Sequence, residues 1–359
     1  MLILHVVGAR PNFMKVAPVA RALQSAGARQ CVVHTGQHYD ANMSDVFFRE
    51  LGMPAPDVNL QVGSGSHAQQ TAEIIARFEP VVLERKPDLV LVYGDVNSTV
   101  AAALVCSKLL MPIGHVEAGL RSFDRTMPEE INRLMTDQVS DLLFTPSSDG
   151  DENLLREGVA REKIHLVGNV MIDTLIRMLP LAKERVPQDL PLRFALVTLH
   201  RPSNVDDLDW LSGMLRTLEG IATDAEVLFP VHPRTRQRLA QAGVNGAGLP
   251  HIRLMEPLPY LEFLGLQSRA AVVITDSGGI QEETTYLGTP CLTVRENTER
   301  PVTVEVGTNR LVGRNMERLR TETLKVLAGQ SRKGGIPPLW DGHASDRIAA
   351  IITGKRASA

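Results

Sequence analysis

Short apolar runs alternate with longer amphipathic stretches from one end of the chain to the other, which predicts parallel sheets covered by helices on both faces. In the first half, residues 2–7, 30–34, 89–93, 113–116, 142–145 and 164–167 read as strands. Residues 16–26, 68–85 and 98–110 read as helices between them. Strands joined by crossover helices in this number make one doubly wound domain. The pattern weakens at Gly168-Asn169, passes through a helical stretch at 171–185, and restarts after Pro187 and Pro191, marking a hinge. A second strand series follows at 194–199, 226–231, 252–254, 271–275, 291–294 and 310–312. The expected fold is therefore α/β, with two Rossmann-like doubly wound domains facing across a cleft, residues 1–170 and 171–342. The stretch 344–352, within a C-terminal segment 343–359, follows a loop containing Gly334, Gly335, Pro337 and Pro338 and is expected to cross back onto the first domain.

A chain of 359 residues exceeds the usual reach of one core, in keeping with two domains. With 43% hydrophobic and 22% charged residues the composition is that of an ordinary globular protein. The net charge of -3 argues against a general nucleic-acid binder, so any phosphate chemistry must rest on locally placed cations. No run approaches the ~20 apolar residues of a membrane helix, and MLILHVVGARP lacks the features of a secretory signal, so a cytoplasmic protein is expected. Cys31, Cys106 and Cys291 lie far apart in apolar stretches and read as reduced core residues, with no metal site. Neither a P-loop nor a G-x-G-x-x-G after a strand is present, which argues against a bound nicotinamide cofactor. Gly63-Ser64-Gly65-Ser66 follows no convincing strand and reads as a flexible loop.

Ligands of open parallel sheets bind beyond the carboxyl ends of the strands, so polar residues just after each apolar run are the candidates. After the first strand, Arg10 and Lys15 flank a helix start at Pro11, fit to hold a diphosphate or simply a solvated turn. Asp95 ends the third run; with Asn97, Ser98 or Thr99 free to cap the next helix, it reads as a free acid or a second cap. Glu117 ends the fourth run, and two acids at neighbouring strand ends suggest proton transfer. Glu129 and Arg133 are spaced i,i+4, which an exposed surface pair also explains.

In the second half, Asp276-Ser277-Gly278-Gly279 lies between a β-rich run and a helix. There Ser277, Gly278 and Gly279 suit a phosphate, or form an ordinary glycine turn. Of Glu282 and Glu283, read as first-turn residues, one accepts ribose hydroxyls while the other complements the helix dipole. His200-Arg201 and His232-Pro233-Arg234 follow two further strands and suggest an anion site, completed by Arg295, Thr298, Glu299 and Arg300.

The stretches GARPNFMKVAP, TGQHYD, GDVNSTVAAAL, HVEAGLRS, MPEEINR, GNVMID, HRPSNVD, DSGGIQEE and RENTERPVT together resemble the non-hydrolysing UDP-N-acetylglucosamine 2-epimerases over nearly the whole chain. The resemblance implies a GT-B-like fold, a UDP-sugar substrate, no cofactor and a homodimer. It implies acid/base roles for Asp95, Glu117 and Glu129, and sugar and diphosphate contacts from Arg10, Lys15, Arg133 and His200, the last also a catalytic candidate. Ser277, Gly278 and Gly279 would hold phosphate, Glu282 the ribose, and His232 and Arg300 would complete the substrate site. Gln37 and His38 match a stretch tied, in bacterial relatives, to a regulatory site for a second UDP-sugar acting as activator. Ala9, Asn12 and Ser203 depart from the Thr, Glu and Glu common in relatives, which touches substrate detail more than the chemistry.

Overall fold

Leu89–Tyr93 reads LVLVY and buries every residue, the signature of a central parallel strand covered on both faces. The computed structural model describes residues 1–36, 51–53, 55–187, 189–241 and 251–354. Within them the chain forms two compact units, residues 1–174 with 338–359, and residues 175–337.

The first unit holds a parallel sheet of β1 (Leu2–Val7), β2 (Arg29–His34), β3 (Val58–Asn59), β4 (Leu89–Tyr93), β5 (Ile113–Val116), β6 (Leu142–Thr145) and β7 (Ile164–Leu166), in the order β3-β2-β1-β4-β5-β6-β7. The second unit holds β8 (Phe194–Thr198), β9 (Glu226–Pro230), β10 (Ile252–Met255), β11 (Val272–Thr275), β12 (Cys291–Thr293) and β13 (Asn309–Leu311), in the order β10-β9-β8-β11-β12-β13. Both are doubly wound, as expected, and the strand order reverses between β1 and β4 in one and between β8 and β11 in the other. Such switch points open a crevice at the carboxyl ends of the strands.

Each sheet has its own core. Leu4, Val6, Val33, Val90 and Val92 meet the stripe Ile74, Phe78 and Val82 of helix His67–Arg85 in the first. Val197, Phe229 and Ile274 meet Leu211, Leu215 and Leu218 in the second. Cys31, Cys106 and Cys291 are free and buried.

Several local readings need correction. β3 was not among the expected strands; two residues are too few for periodicity to register. Gly63–Ser66 is more than a loop: Ser66 caps helix His67–Arg85, accepting from the Gln69 N–H at 3.2 Å in a capping box. Asn97, Ser98 and Thr99 are not the cap of the next helix, Asn97–Lys108, whose N-cap is Val96 without a side-chain bond. The hydroxyl of Thr99 instead donates to the Tyr93 carbonyl at 2.8 Å.

The boundary between units falls after Thr174, not after 170, because the Thr174 hydroxyl donates to the Met14 carbonyl at 2.6 Å and Asp173 accepts from the Ala344 and Ser345 N–H groups at 3.2 and 2.7 Å. The return comes at Pro338, before 343, since the fully buried Trp340 donates its indole N–H to the Pro146 carbonyl at 3.0 Å. Helix Ala344–Thr353 thus belongs to the first unit, with Ile348, Ala349 and Ile352 buried.

Candidate functional site

At the β1/β4 switch point the backbone is held by small residues and one amide. A Cβ on Gly8 would stand 1.9 Å from the Ser98 hydroxyl, so only glycine lets β1 approach helix Asn97–Lys108. Asn12, buried, accepts from the Ala9 N–H at 3.0 Å and donates to the Tyr93 carbonyl at 2.8 Å, tying the two strand ends together. Gly94 follows with φ +63°, and a Cβ there would lie 2.6 Å from the ammonium of Lys15.

Four charged candidates converge here as two couples. Lys15 is ion-paired with Glu117, and both are buried. Arg133 is ion-paired with Asp95, whose side chain is partly exposed. Glu117 adopts a left-handed backbone with φ +76°, strained for a residue with a side chain. The strained turn is fixed because the N–H groups of Glu117 and Ala118 both donate to the Phe144 carbonyl, at 3.1 and 3.0 Å.

Arg133 also binds Glu130, its i,i+3 neighbour, at 2.5 Å. Glu130 accepts from the Ser122 and Phe123 N–H groups, each at 2.9 Å. Burial works to raise its carboxyl, and these bonds outweigh it, holding Glu130 below the ordinary carboxylate range. Reading Glu129 as the partner of Arg133 therefore overlooked Glu130; Glu129 sits half-buried in the same first turn. The Arg10 side chain, Gln37 and His38 lie outside the described residues.

In the second unit Asp276 is the hub of the β8/β11 switch point. Fully buried, it accepts from the N–H groups of His200 and Arg201 at 3.1 and 3.0 Å, from Asn204 at 3.1 Å, and from His200 Nδ1 at 2.9 Å. Burial works to raise this carboxyl, and the His200 contact with the backbone bonds holds it below the usual range. His200, itself exposed, is thereby oriented with Nδ1 toward Asp276. His232 is exposed near His200 and Arg234, and partial burial together with their charges lowers its pKa.

Helix Gly278–Leu287 opens beside them with Ser277 as N-cap, and the first N–H groups of any helix lack intrahelical partners. Ser277, Gly278 and Gly279 are all partly accessible. A Cβ on Gly278 would meet Arg300 at 2.6 Å and Glu299 at 2.8 Å. Arg300 is buried and paired with Glu282 at 2.8 Å and with Glu299, which Arg295 also binds at 2.7 Å. Glu282 and Glu283 lie past the first turn, so the dipole reading fails for both. Glu283 accepts from the Tyr260 hydroxyl at 2.9 Å, and burial pushes its pKa up to about 7.

The sequence analysis gave Asn12, Glu130 and Asp276 no positioning role, although Asp276 follows its strand as visibly as Asp95 does. Among the described residues, no group of three or more His, Cys, Asp or Glu is placed to hold a metal ion. No helix among them is long and apolar enough to cross a membrane.

The family model described as UDP-N-acetylglucosamine 2-epimerase matches residues 21–353. A UDP-N-acetylglucosamine 2-epimerase of Methanococcus maripaludis is 43% identical, with 98% of each chain covered. A UDP-2,3-diacetamido-2,3-dideoxy-D-glucuronate 2-epimerase of Pseudomonas aeruginosa is also 43% identical, over 98% of this chain and 99% of that one. Among solved structures, the Methanocaldococcus jannaschii UDP-GlcNAc 2-epimerase in complex with UDP-GlcNAc and UDP superposes with a TM-score of 0.90 at 41% identity, covering 99% of this chain and 100% of that one.

Proposed function

The chain belongs to the UDP-N-acetylglucosamine 2-epimerase family, and on that premise we propose that it interconverts UDP-N-acetylglucosamine and UDP-N-acetylmannosamine by inverting C2 of the sugar. The C2 proton is not next to a carbonyl, so a carboxylate of ordinary basicity cannot remove it from the intact sugar. Breaking the C1–O bond changes this: positive charge develops at C1, the C2 proton becomes acidic, and a carboxylate takes it. Anti elimination leaves UDP and a glycal. Re-addition of UDP to C1, with a proton delivered to the opposite face of C2, gives the epimer.

The observation that carries this reading is the two carboxylate–cation couples at neighbouring strand ends, Lys15–Glu117 and Arg133–Asp95. A diphosphate competes with the carboxylates for both cations, freeing the acids to act as bases while the cations stabilise departing UDP. Glu129 is the third proton carrier. His200, oriented by Asp276, takes the catalytic role in the second unit. His232, Ser277, Gly278, Gly279 and Arg300 serve the diphosphate, and Glu282 the ribose.

The reading extends to a cytoplasmic homodimer needing no metal or nicotinamide, activated by a second UDP-sugar at Gln37 and His38. It is supported by the family resemblance alone.

The test is incubation with UDP-N-acetylglucosamine in D2O, followed by proton NMR. UDP-N-acetylmannosamine carrying deuterium at C2, with little free UDP, is expected. Free N-acetylmannosamine would replace this with a hydrolysing reaction. The equally similar Pseudomonas relative favours a second reading, the 2-epimerisation of a UDP-diacetamido uronic acid. Exchange on that sugar and none on UDP-N-acetylglucosamine would select it.

A further inference from the structure

Behind the two acid-bearing strand ends lies a buried charge cluster that the proposed chemistry does not use. His115, in β5, is 0% exposed. Its Nε2 lies 2.8 Å from the Gly94 carbonyl oxygen, and its Nδ1 lies 2.6 Å from Asp137 Oδ1. A carbonyl only accepts, so Nε2 must carry a proton. Asp137 is fully engaged as an anion: Oδ2 is bound by Arg121 at 2.7 Å and by the Gly119 N–H at 3.1 Å. Burial works to raise the Asp137 carboxyl, and His115 and Arg121 outweigh it, holding it below the usual range. The 2.6 Å contact between Nδ1 and Oδ1 fixes the ring against that carboxylate.

We infer that His115 is a positioning residue, whose ring, hydrogen-bonded at both nitrogens, locks the three acid-bearing elements of the site together. Nε2–H grips the peptide just after Gly94, which leads into Asp95; the ring sits two residues before Glu117; and Nδ1 grips the helix Pro128–Val139 that carries Glu129 and Arg133.

This inference rests on reading Asp95, Glu117 and Glu129 as the proton carriers at C2. Its test measures steady-state kinetics and C2 deuterium exchange of the full-length H115Q and D137N enzymes beside the parent, with thermal unfolding to establish that each variant folds; should H115Q fail to fold, D137N, which keeps an oxygen acceptor and loses the charge, carries the test. In the folded variants kcat should fall about tenfold to a hundredfold, the scale of a small misplacement of catalytic groups, while KM moves less than about threefold. A folded variant with unaltered kcat overturns the inference, as does one whose loss lies in KM alone. Absence of any C2 exchange by the unmutated enzyme would sink the epimerase reading instead.

Discussion

At the scale of single residues the structure ties two of the proposed proton carriers, Asp95 and Glu117, to a cation each, and the partner determines what a substitution does. Asp95→Asn and Glu117→Gln keep a polar group beside Arg133 and Lys15 but remove the base. Each should lower kcat by about 10²- to 10⁴-fold, the usual weight of general acid–base catalysis, with KM changed only a few-fold. Steady-state kinetics and C2 deuterium exchange check this; near-normal turnover in both variants removes them from the mechanism. Asp95 and Glu117 were legible because each lies within two residues of the end of an apolar strand, where the carboxyl end of a sheet presents its side chains. Glu130 was not, since only burial distinguishes two adjacent glutamates on a helix, and the i,i+3 bond to Arg133 uses the inner one. Asn12 was invisible for a different reason. Its donation to the Tyr93 carbonyl joins residues 81 apart in sequence, and no local pattern encodes that contact.

At the scale of elements, every described strand but β3 falls on an apolar run marked in the sequence, whereas helices such as Leu208–Ile221 and Met316–Leu327 were not read individually. The misses were β3 and the caps, where geometry turns on one or two residues. The glycines show why close approach is equally hidden. Gly8 lies just before one helix and Gly279 in the first turn of another, yet a Cβ on Gly8 strikes Ser98, while one on Gly279 meets nothing within 4 Å. Gly8→Ala should therefore cost about 1–3 kcal/mol by forcing β1 away from helix Asn97–Lys108. Gly279→Ala should leave stability within about 0.5 kcal/mol, as expected for a substitution that meets no neighbour. Urea unfolding of the two variants beside the parent protein decides the matter, and the reverse ranking would mean that the β1 turn yields more easily than its packing implies.

At the scale of the whole molecule, two units with separate cores mean that unfolding need not be a single transition, so a charge buried in one unit should report on that unit. Glu283, in the second unit, provides such a report. Burial, aided by the neighbouring charge of Glu282, raises its folded-state pKa to about 7 from an ordinary value of 4.5. The folded protein thus holds this proton to higher pH than the unfolded chain does. The stabilising contribution is fully present below about pH 4.5 and is lost as pH rises through about 7. Glu283→Gln mimics the neutral form and cannot ionise, and it retains an oxygen to accept from Tyr260. The variant and parent should have similar stability at pH 5. At pH 8 the variant's second-unit transition should be the more stable, by up to about 3 kcal/mol for a shift of this size. Thermal unfolding at the two pH values measures the difference directly. A stability gap that does not widen between pH 5 and 8 would mean that Glu283 ionises in the folded protein without cost, with water or a cation reaching a side chain that the structure shows only 4% exposed.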